Sequence, residues 1–478
     1  MVLDFFRELS AVPRGSQNNT KISNYLVDFA KERGLRYIQD ELDNVVIYKP
    51  AAKGYENCPP LIIQGHMDMV CEKVSGSEHD FENEGIEIIE DGKYLTANGT
   101  TLGADDGIAM AYMLEFLDDK DMVCPPMEMV FTTDEEIGMI GAIAFDASVL
   151  SGKCMINVDS EEESGFIVAC AGGRAVTTDI KIKRETVNGV MVEVVLSGLK
   201  GGHSGTEIDK NRSNAVILLG RLLAYLPDGL FKLLDINGGH KDNVIPNEAT
   251  ARFVVPADKL DEFSEIVSQA AVIISDELVV SEPDLEINIT EDDPSRVFEY
   301  EVFDDESYAR IFYYLTYVPN GIQVMNAGIK GMVESSQNLG TFKTFDTTVS
   351  VTISLRSQKP TYKDYMTKKL EGLANMIDAD FTVSGDYPGY DMTPESEFRD
   401  TMCEAYKETF GREPIISGIH AGLEIGVFSS KIPGLDIISI GPDTYDIHTV
   451  DEKVDVESVD RVEKFLRNAV AAYAEKNK

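Results

Sequence analysis

The chain has 478 residues, enough for two or three domains, and its 43% apolar and 26% charged residues exclude collagen-like, low-complexity and wholly disordered proteins. Lys and Arg number 43 against 83 Asp and Glu, a formal net charge of −40. Such a surface repels phosphate backbones and anionic headgroups, so neither nucleic acid nor membrane is an expected partner.

Residues 20–33 place Ile22, Tyr25, Leu26 and Phe29 on one helical stripe, with Gly34 as its stop. Short apolar runs follow at Val45–Tyr48, Leu61–Gln64, Glu128–Thr132 and Met155–Val158, and another lies far downstream at Ile437–Ile440. Met110, Met113, Leu114 and Leu117 form a second helical stripe among them. This is the pattern of a largely buried sheet with helices packed on it, an α/β domain.

From about 174 to 389 the strands alternate polar with apolar residues, as in Met191-Val192-Glu193-Val194, Arg252-Phe253-Val254 and Val349-Ser350-Val351-Thr352-Ile353. Alternation means one solvated sheet face, and helices expected at about 211–225, 257–275 and 361–376 complete a two-layer α+β insert. The acidic stretch Glu291–Glu306 divides this insert into two halves of similar element order, which suggests a duplicated unit. The expected organisation is a discontinuous α/β domain, 1–173 and 390–478, with a mixed central sheet flanked by helices, interrupted by the insert at 174–389.

No basic leader precedes a long apolar core, and no segment approaches about 18 uninterrupted apolar residues. Cys58, Cys71, Cys124, Cys154, Cys170 and Cys403 lack C-x-x-C spacing. A reducing cytoplasm is the expected location.

Polar residues suited to metals gather where the apolar runs end, the usual place for ligands in an open α/β sheet. They are Gly65-His66-Met67-Asp68, Asp134-Glu135-Glu136 and Asp159; Gly103-Ala104-Asp105-Asp106-Gly107 opens the Met110 stripe, and Asp446-Ile447-His448 follows the last run. Each has a plainer explanation. His66 and Asp68 could form an ordinary turn, although residues two apart in an extended segment project to one side, where a carboxylate can orient a metal-bound imidazole. Asp105 or Asp106 alone reads better as a helix cap. Glu135, Glu136 and Asp159 could be solvated acids, and His448 could sit in any loop. Together they are hard to obtain from independent surface loops. His66, His448, Glu136, Asp159 and a shared Asp105 give each of two cations one imidazole, one carboxylate and a bridge, with coordination left for water and substrate. Glu135 then remains free to move protons.

These residues carry a family resemblance over nearly the whole chain. The ordered series above, interrupted by an insert containing Gly201-Gly202-His203-Ser204-Gly205, resembles the M20 metallopeptidase family. Ala169–Gly173, Asp242-Asn243-Val244-Ile245-Pro246, Ser354-Leu355-Arg356-Ser357 and Ile419-His420-Ala421-Gly422-Leu423-Glu424 are most similar to its cytosolic aminoacyl-histidine dipeptidases. The resemblance implies a zinc-peptidase-type catalytic domain with an inserted lid or dimerisation domain, and hydrolysis of dipeptides, of the Xaa-His kind with broad specificity. It implies two Zn²⁺, replaceable by Mn²⁺ or Co²⁺: His66 and Asp159 on one, Glu136 and His448 on the other, Asp105 bridging. It implies Asp68 as the orienter of His66, Glu135 as general base and His203 as a donor to the developing oxyanion. Asn243, Arg356 and Gly422 are implied in holding substrate, Arg356 at the terminal carboxylate and Glu424 at the free amine. Without the resemblance, His203 reads as an incidental histidine in a Gly-rich hairpin. A homodimer is expected, as is closure of the two domains over a short substrate. Asp106 stands where many of these relatives have Asn, and Thr449-Val450 replaces a common Ser-Pro; neither removes a ligand. Two other functions use the same residues: a deacylase of N-acyl amino acids, which an N-acetylated dipeptide would distinguish, and a non-catalytic metal- or peptide-binding module, which has no need of Glu135.

Overall fold

The computed structural model describes residues 1–478, and the chain divides into two compact units. The first comprises Met1–Cys170, Tyr390–Gly418 and Leu423–Lys478; the second comprises Ala171–Gly389 and Ile419–Gly422.

An eight-stranded mixed sheet forms the first unit, ordered Arg36–Gln39, Val45–Lys49, Met127–Thr132, Leu61–His66, Cys154–Asn157, Asp436–Ser439, Gly165–Cys170, Ile415–Ile419. Its middle four strands run parallel. Parallel strands are covered on both faces, which is why Leu61–His66 and Met127–Thr132 are buried at every position. Helix Ala104–Asp118 packs so deeply that Ile108 to Leu117 are all buried. Gly103 precedes it with φ 70°, and a Cβ there would lie 2.6 Å from Arg14 Nη2 and 2.7 Å from Met69 Sδ, so only glycine fits this entry turn.

The second unit holds a ten-stranded sheet. Arg184–Ser197 alternates buried and half-exposed residues, as its sequence predicts; Val192, Val194 and Leu196 join Leu219, Phe253 and Phe263 in the core. Eight of its strands form two four-stranded sets with the same order of elements, β-α-β-β-α-β, and the other two, Phe298–Phe303 and Gly321–Met325, pair with Arg184–Ser197 and Val333–Thr344. One set uses Arg184–Ser197, Ala215–Leu223, Lys232–Gly238, Ala249–Val255, Leu260–Leu278 and Glu286–Glu291. The other uses Gly172–Lys181, Asp305–Tyr317, Val333–Thr344, Thr348–Ser357, Pro360–Met376 and Asp380–Tyr387. They join edge to edge at the single pair Gly238 and Phe342.

The division is therefore not the simple cut at 291–306 expected from sequence. Gly172–Lys181, the first strand of the second set, lies before the whole of the first set, because its partners are Thr348–Ser357 and Asp380–Tyr387. Helix Ala215–Leu223 starts later than expected, since Asn214 accepts from the N–H groups of Val216 and Ile217 and fixes the first turn there. Helix Leu260–Leu278 is displaced in the same direction, and Pro360 opens the last helix at its first position.

Candidate metal centre

The predicted ligands of the first unit meet at the carboxyl ends of the parallel strands. His66 ends its strand almost fully buried, with Nε2 3.0 Å from Asp105 Oδ1 and 3.5 Å from Asp159 Oδ1. The other oxygen of Asp105 lies 3.1 Å from His448 Nε2, which is 3.0 Å from Glu136 Oε1. The order is Asp159, His66, Asp105, His448, Glu136, with the Asp105 carboxylate shared between two imidazoles. Three groupings could each hold a cation: His66, Asp106 and Asp159; His66, Glu135 and Glu136; and Asp105, Glu136 and His448.

Neighbouring groups fix these side chains. Asp68 accepts from Ser16 Oγ at 2.8 Å and from the backbone N–H groups of Glu135 at 3.0 Å and Glu136 at 3.4 Å, and its Oδ1 lies 3.5 Å from His66 Nδ1. One carboxylate thus ties the His66 turn to the turn carrying Glu135 and Glu136. Glu452 accepts from the N–H groups of Leu102, Gly103 and Ala104 at 2.7–2.9 Å and cradles the approach to Asp105. Asp106, joined to Asp105 by a cis peptide, accepts from His66 N–H at 3.1 Å. The buried Arg14 guanidinium donates to the carbonyls of Met67 and Asp68 at 3.2 Å and to that of Gly103. Sequence reasoning missed Ser16, Arg14 and Glu452. Their partners lie tens to hundreds of residues away, and only the apolar surroundings of Arg14, in Val12-Pro13-Arg14-Gly15, hinted at burial.

The electrostatics are those of a site short of positive charge. Burial opposes a proton on His448, yet Asp105 and Glu136 outweigh it and push its pKa up to about 11. His66 is likewise raised, its burial overcome by Asp105, Asp159 and Asp68. Against its own burial, Asp105 is held far below the usual carboxylate range by His448 and His66. Burial pushes Asp159 up to about 6 and Glu161 up to about 7, and lifts Glu135 well above its ordinary value. Carboxylates this close need cations between them, and imidazole nitrogens with carboxylate oxygens form a donor set that divalent transition metals accept. The residues present fit a pair of such ions.

Glu424 lies elsewhere in the first unit than an exposed amine partner would. It is 0% exposed and accepts from Thr132 Oγ1 at 2.7 Å and from Gln64 Nε2. Burial pushes its carboxyl up to about 8.

In the second unit, His203, Asn243, Arg356 and Gly422 come together around Tyr387 and His420. Thr206 N–H donates to His203 Nδ1 at 3.2 Å, and Arg356 Nη2, which can only donate, lies 3.3 Å from His203 Nε2. The guanidinium beside the ring makes a spot suited to an anion. Burial, and then the Arg356 charge, lower the His203 pKa; the same causes lower His420 to about 3. Arg356 Nη1 donates to Tyr387 Oη at 3.2 Å, and a Cβ on Gly422 would lie 2.7 Å from the Tyr387 ring, so glycine is required there. Asn243 accepts from Ser204 N–H through its carbonyl at 2.9 Å, while its side-chain Oδ1 is buried without a partner.

The pattern of peptidase family M20/M25/M40 matches residues 62–472. The chain belongs to that family. It is 36% identical over 463 residues to the cytosol non-specific dipeptidase of Escherichia coli (strain K12), covering 95% of this chain and 94% of that protein. The aminoacylhistidine dipeptidase of Vibrio alginolyticus superposes with a TM-score of 0.91 at 34% identity, covering 100% of this chain and 96% of that one. An aminopeptidase from Bacillus cereus, at 17% identity and a TM-score of 0.58 over 99% and 98% of the two chains, shares the fold. No helix of this M20 peptidase is long and apolar enough to cross a membrane.

Proposed function

We propose that this M20 peptidase is a metal-dependent dipeptidase of broad specificity, with Xaa-His dipeptides among its substrates. The observation that carries the reading is the Asp105 carboxylate, with one oxygen 3.0 Å from His66 and the other 3.1 Å from His448. The names of the Escherichia coli and Vibrio alginolyticus relatives support the substrate class. His66 and Asp159 would hold one ion, His448 and Glu136 the other, and Asp105 both. The ions are read as zinc, replaceable by manganese or cobalt. When bound, they supply Lewis acidity toward a water and a peptide carbonyl.

Glu135 is the proposed general base. It takes a proton from the attacking water and returns it to the departing amine, a contribution of about 10²–10⁴-fold. Asp68 holds the backbone of that base and the ring of His66 at once. His203 donates to the carbonyl oxygen as negative charge grows there. Arg356 takes the terminal carboxylate of the dipeptide, a charge-assisted contact that a longer or amidated peptide forfeits. Asn243 offers its free Oδ1 to substrate, and Gly422 leaves room beside Tyr387. The Escherichia coli relative's name supports a cytosolic location, and a homodimer is carried over from the family resemblance.

The test is hydrolysis of a panel by metal-stripped protein, with and without added Zn²⁺, Mn²⁺ or Co²⁺. The panel holds β-Ala-His, Ala-His, Leu-Leu, an N-acetylated dipeptide and a tripeptide. Metal-restored cleavage of the free-amine dipeptides is expected. Cleavage confined to the acetylated compound would replace the reading with a deacylase.

A further inference from the structure

Beside the candidate metal centre, at the ends of the strands that lead into it, lies a cluster of polar side chains with no access to solvent. Gln64 stands two residues before His66, Asn157 two before Asp159, and Thr132 two before Asp134 in the turn that bears Glu135. Residues two apart on a strand face the same way, so Gln64 lies under His66, while Thr132 and Asn157 close the strands that lead to the Glu135–Glu136 turn and to Asp159. The register places Gln64 level with Asn157, one pleat below His66, and Thr132 level with His66 itself on the neighbouring parallel strand.

The cluster is hydrogen-bonded from end to end. Asn157 Nδ2 donates to Gln64 Oε1 at 2.7 Å, and Gln64 Nε2 donates to Thr132 Oγ1 at 3.2 Å and to the Glu424 carboxyl. Thr132 Oγ1 donates in turn to Glu424 Oε2 at 2.7 Å. All four residues are 0% exposed. The interior of a parallel sheet is ordinarily apolar, and each buried polar group is costly unless paired. Side chains hydrogen-bonded to one another in that setting restrict each other's geometry, although Asn157 Oδ1 is left without a partner. Glu424 completes it from the first turn of helix Glu424–Lys431 and is the only one of the four not on a strand. Its Oε1 is buried without a partner.

We infer that Glu424 is a positioning residue. With Gln64, Thr132 and Asn157 it locks the relative orientation of the three strand ends that carry His66, the Glu135–Glu136 turn and Asp159. It acts as a hydrogen-bonding carboxyl and not as a charge that meets substrate. The inference rests on the ligand set proposed above and departs from the sequence-based role of Glu424 at the substrate amine.

The test compares Glu424→Gln with Glu424→Leu in the full chain. One readout is calorimetric titration of Zn²⁺ into metal-stripped protein; the other is kcat and KM on Leu-Leu. Glu424→Gln retains an acceptor for Thr132 and Gln64, so metal affinity and both kinetic constants stay near those of the unchanged protein. Glu424→Leu removes the acceptor, so metal affinity falls about 10–100-fold and kcat falls with it, while KM is unmoved. Thr132→Val, which removes one donor, gives the same direction and serves if Glu424→Leu does not fold. Three results overturn the inference: a raised KM in Glu424→Gln with metal affinity intact, equal loss of metal affinity in both Glu424 variants, or unaltered metal affinity in both Glu424→Leu and Thr132→Val. If Leu-Leu is not cleaved at all, the dipeptidase reading fails, and the calorimetric arm still decides the role of Glu424.

Discussion

His448 and His420 are the same side chain under opposite fields. In the first unit, Asp105 and Glu136 hold His448 up to about 11 despite its burial. In the second, burial and the Arg356 guanidinium take His420 down to about 3, and lower His203 as well. The first set of imidazoles sits among carboxylates and calls for cations. The second sits beside a guanidinium, stays neutral, and is equipped to donate to anions. The proposed mechanism uses both, one to activate water and one to hold carboxylate and oxyanion, and draws them from different units of the chain.

The contrast is broken most severely at the shared carboxylate. Asp105→Ala should abolish hydrolysis and reduce the affinity for both ions by at least about 10²-fold, as metal analysis after dialysis would show. Glu135→Ala sharpens the same picture by separating chemistry from binding: kcat should fall about 10²–10⁴-fold with metal content unchanged. On the anion side, Arg356→Met should raise KM for free-carboxylate dipeptides about 10–100-fold and leave metal affinity alone. A dipeptide amide, which has no carboxylate to lose, should respond far less in the same assay.

The smallest expected effect is on stability. Folded His420 titrates near about 3, well below the ordinary histidine value of 6.5. As pH falls through 6.5 towards 3, the unfolded chain therefore binds a proton that the folded chain refuses. The contribution of His420 is full above pH 6.5 and is lost progressively below it. Urea unfolding of His420→Asn across this window should show a pH dependence shallower by up to about 1.4 kcal/mol per pH unit. An unchanged slope would mean that His420 is protonated in the folded protein and that the opposition between the two fields is weaker than described.

Of the proposed ligands, His66, Glu136 and Asp159 were legible because they lie at or just past the ends of apolar runs, where the change from buried strand to polar turn marks the position in the chain itself; Asp105, at a helix start, and His448, beyond the last run, were legible only together with them. The strand core around Leu61–His66 and the alternation in Arg184–Ser197 were legible for the same reason. What orders the ligands was not. Glu452 acts on residues about 350 positions away, and Arg14 on Met67, Asp68 and Gly103; nothing local in either segment records those partners. Glu424 was noticed for its motif and given a role at the substrate amine, whereas its hydrogen bonds run to Gln64 and Thr132 in the sheet interior. The insert was legible as two-layer α+β, and its interleaving was not, since strand pairing between Gly172–Lys181 and Thr348–Ser357 leaves no local periodicity to read.

That interleaving bears on how the chain is made. Strand Gly172–Lys181 leaves the ribosome before an entire β-α-β-β-α-β set whose edges it does not join, and its neighbours Thr348–Ser357 and Asp380–Tyr387 follow only after that set is complete. At about 5–20 residues per second the strand waits on the order of 10–30 s for its first partner. During that interval its backbone has no strand partner, and slower translation lengthens the wait in proportion.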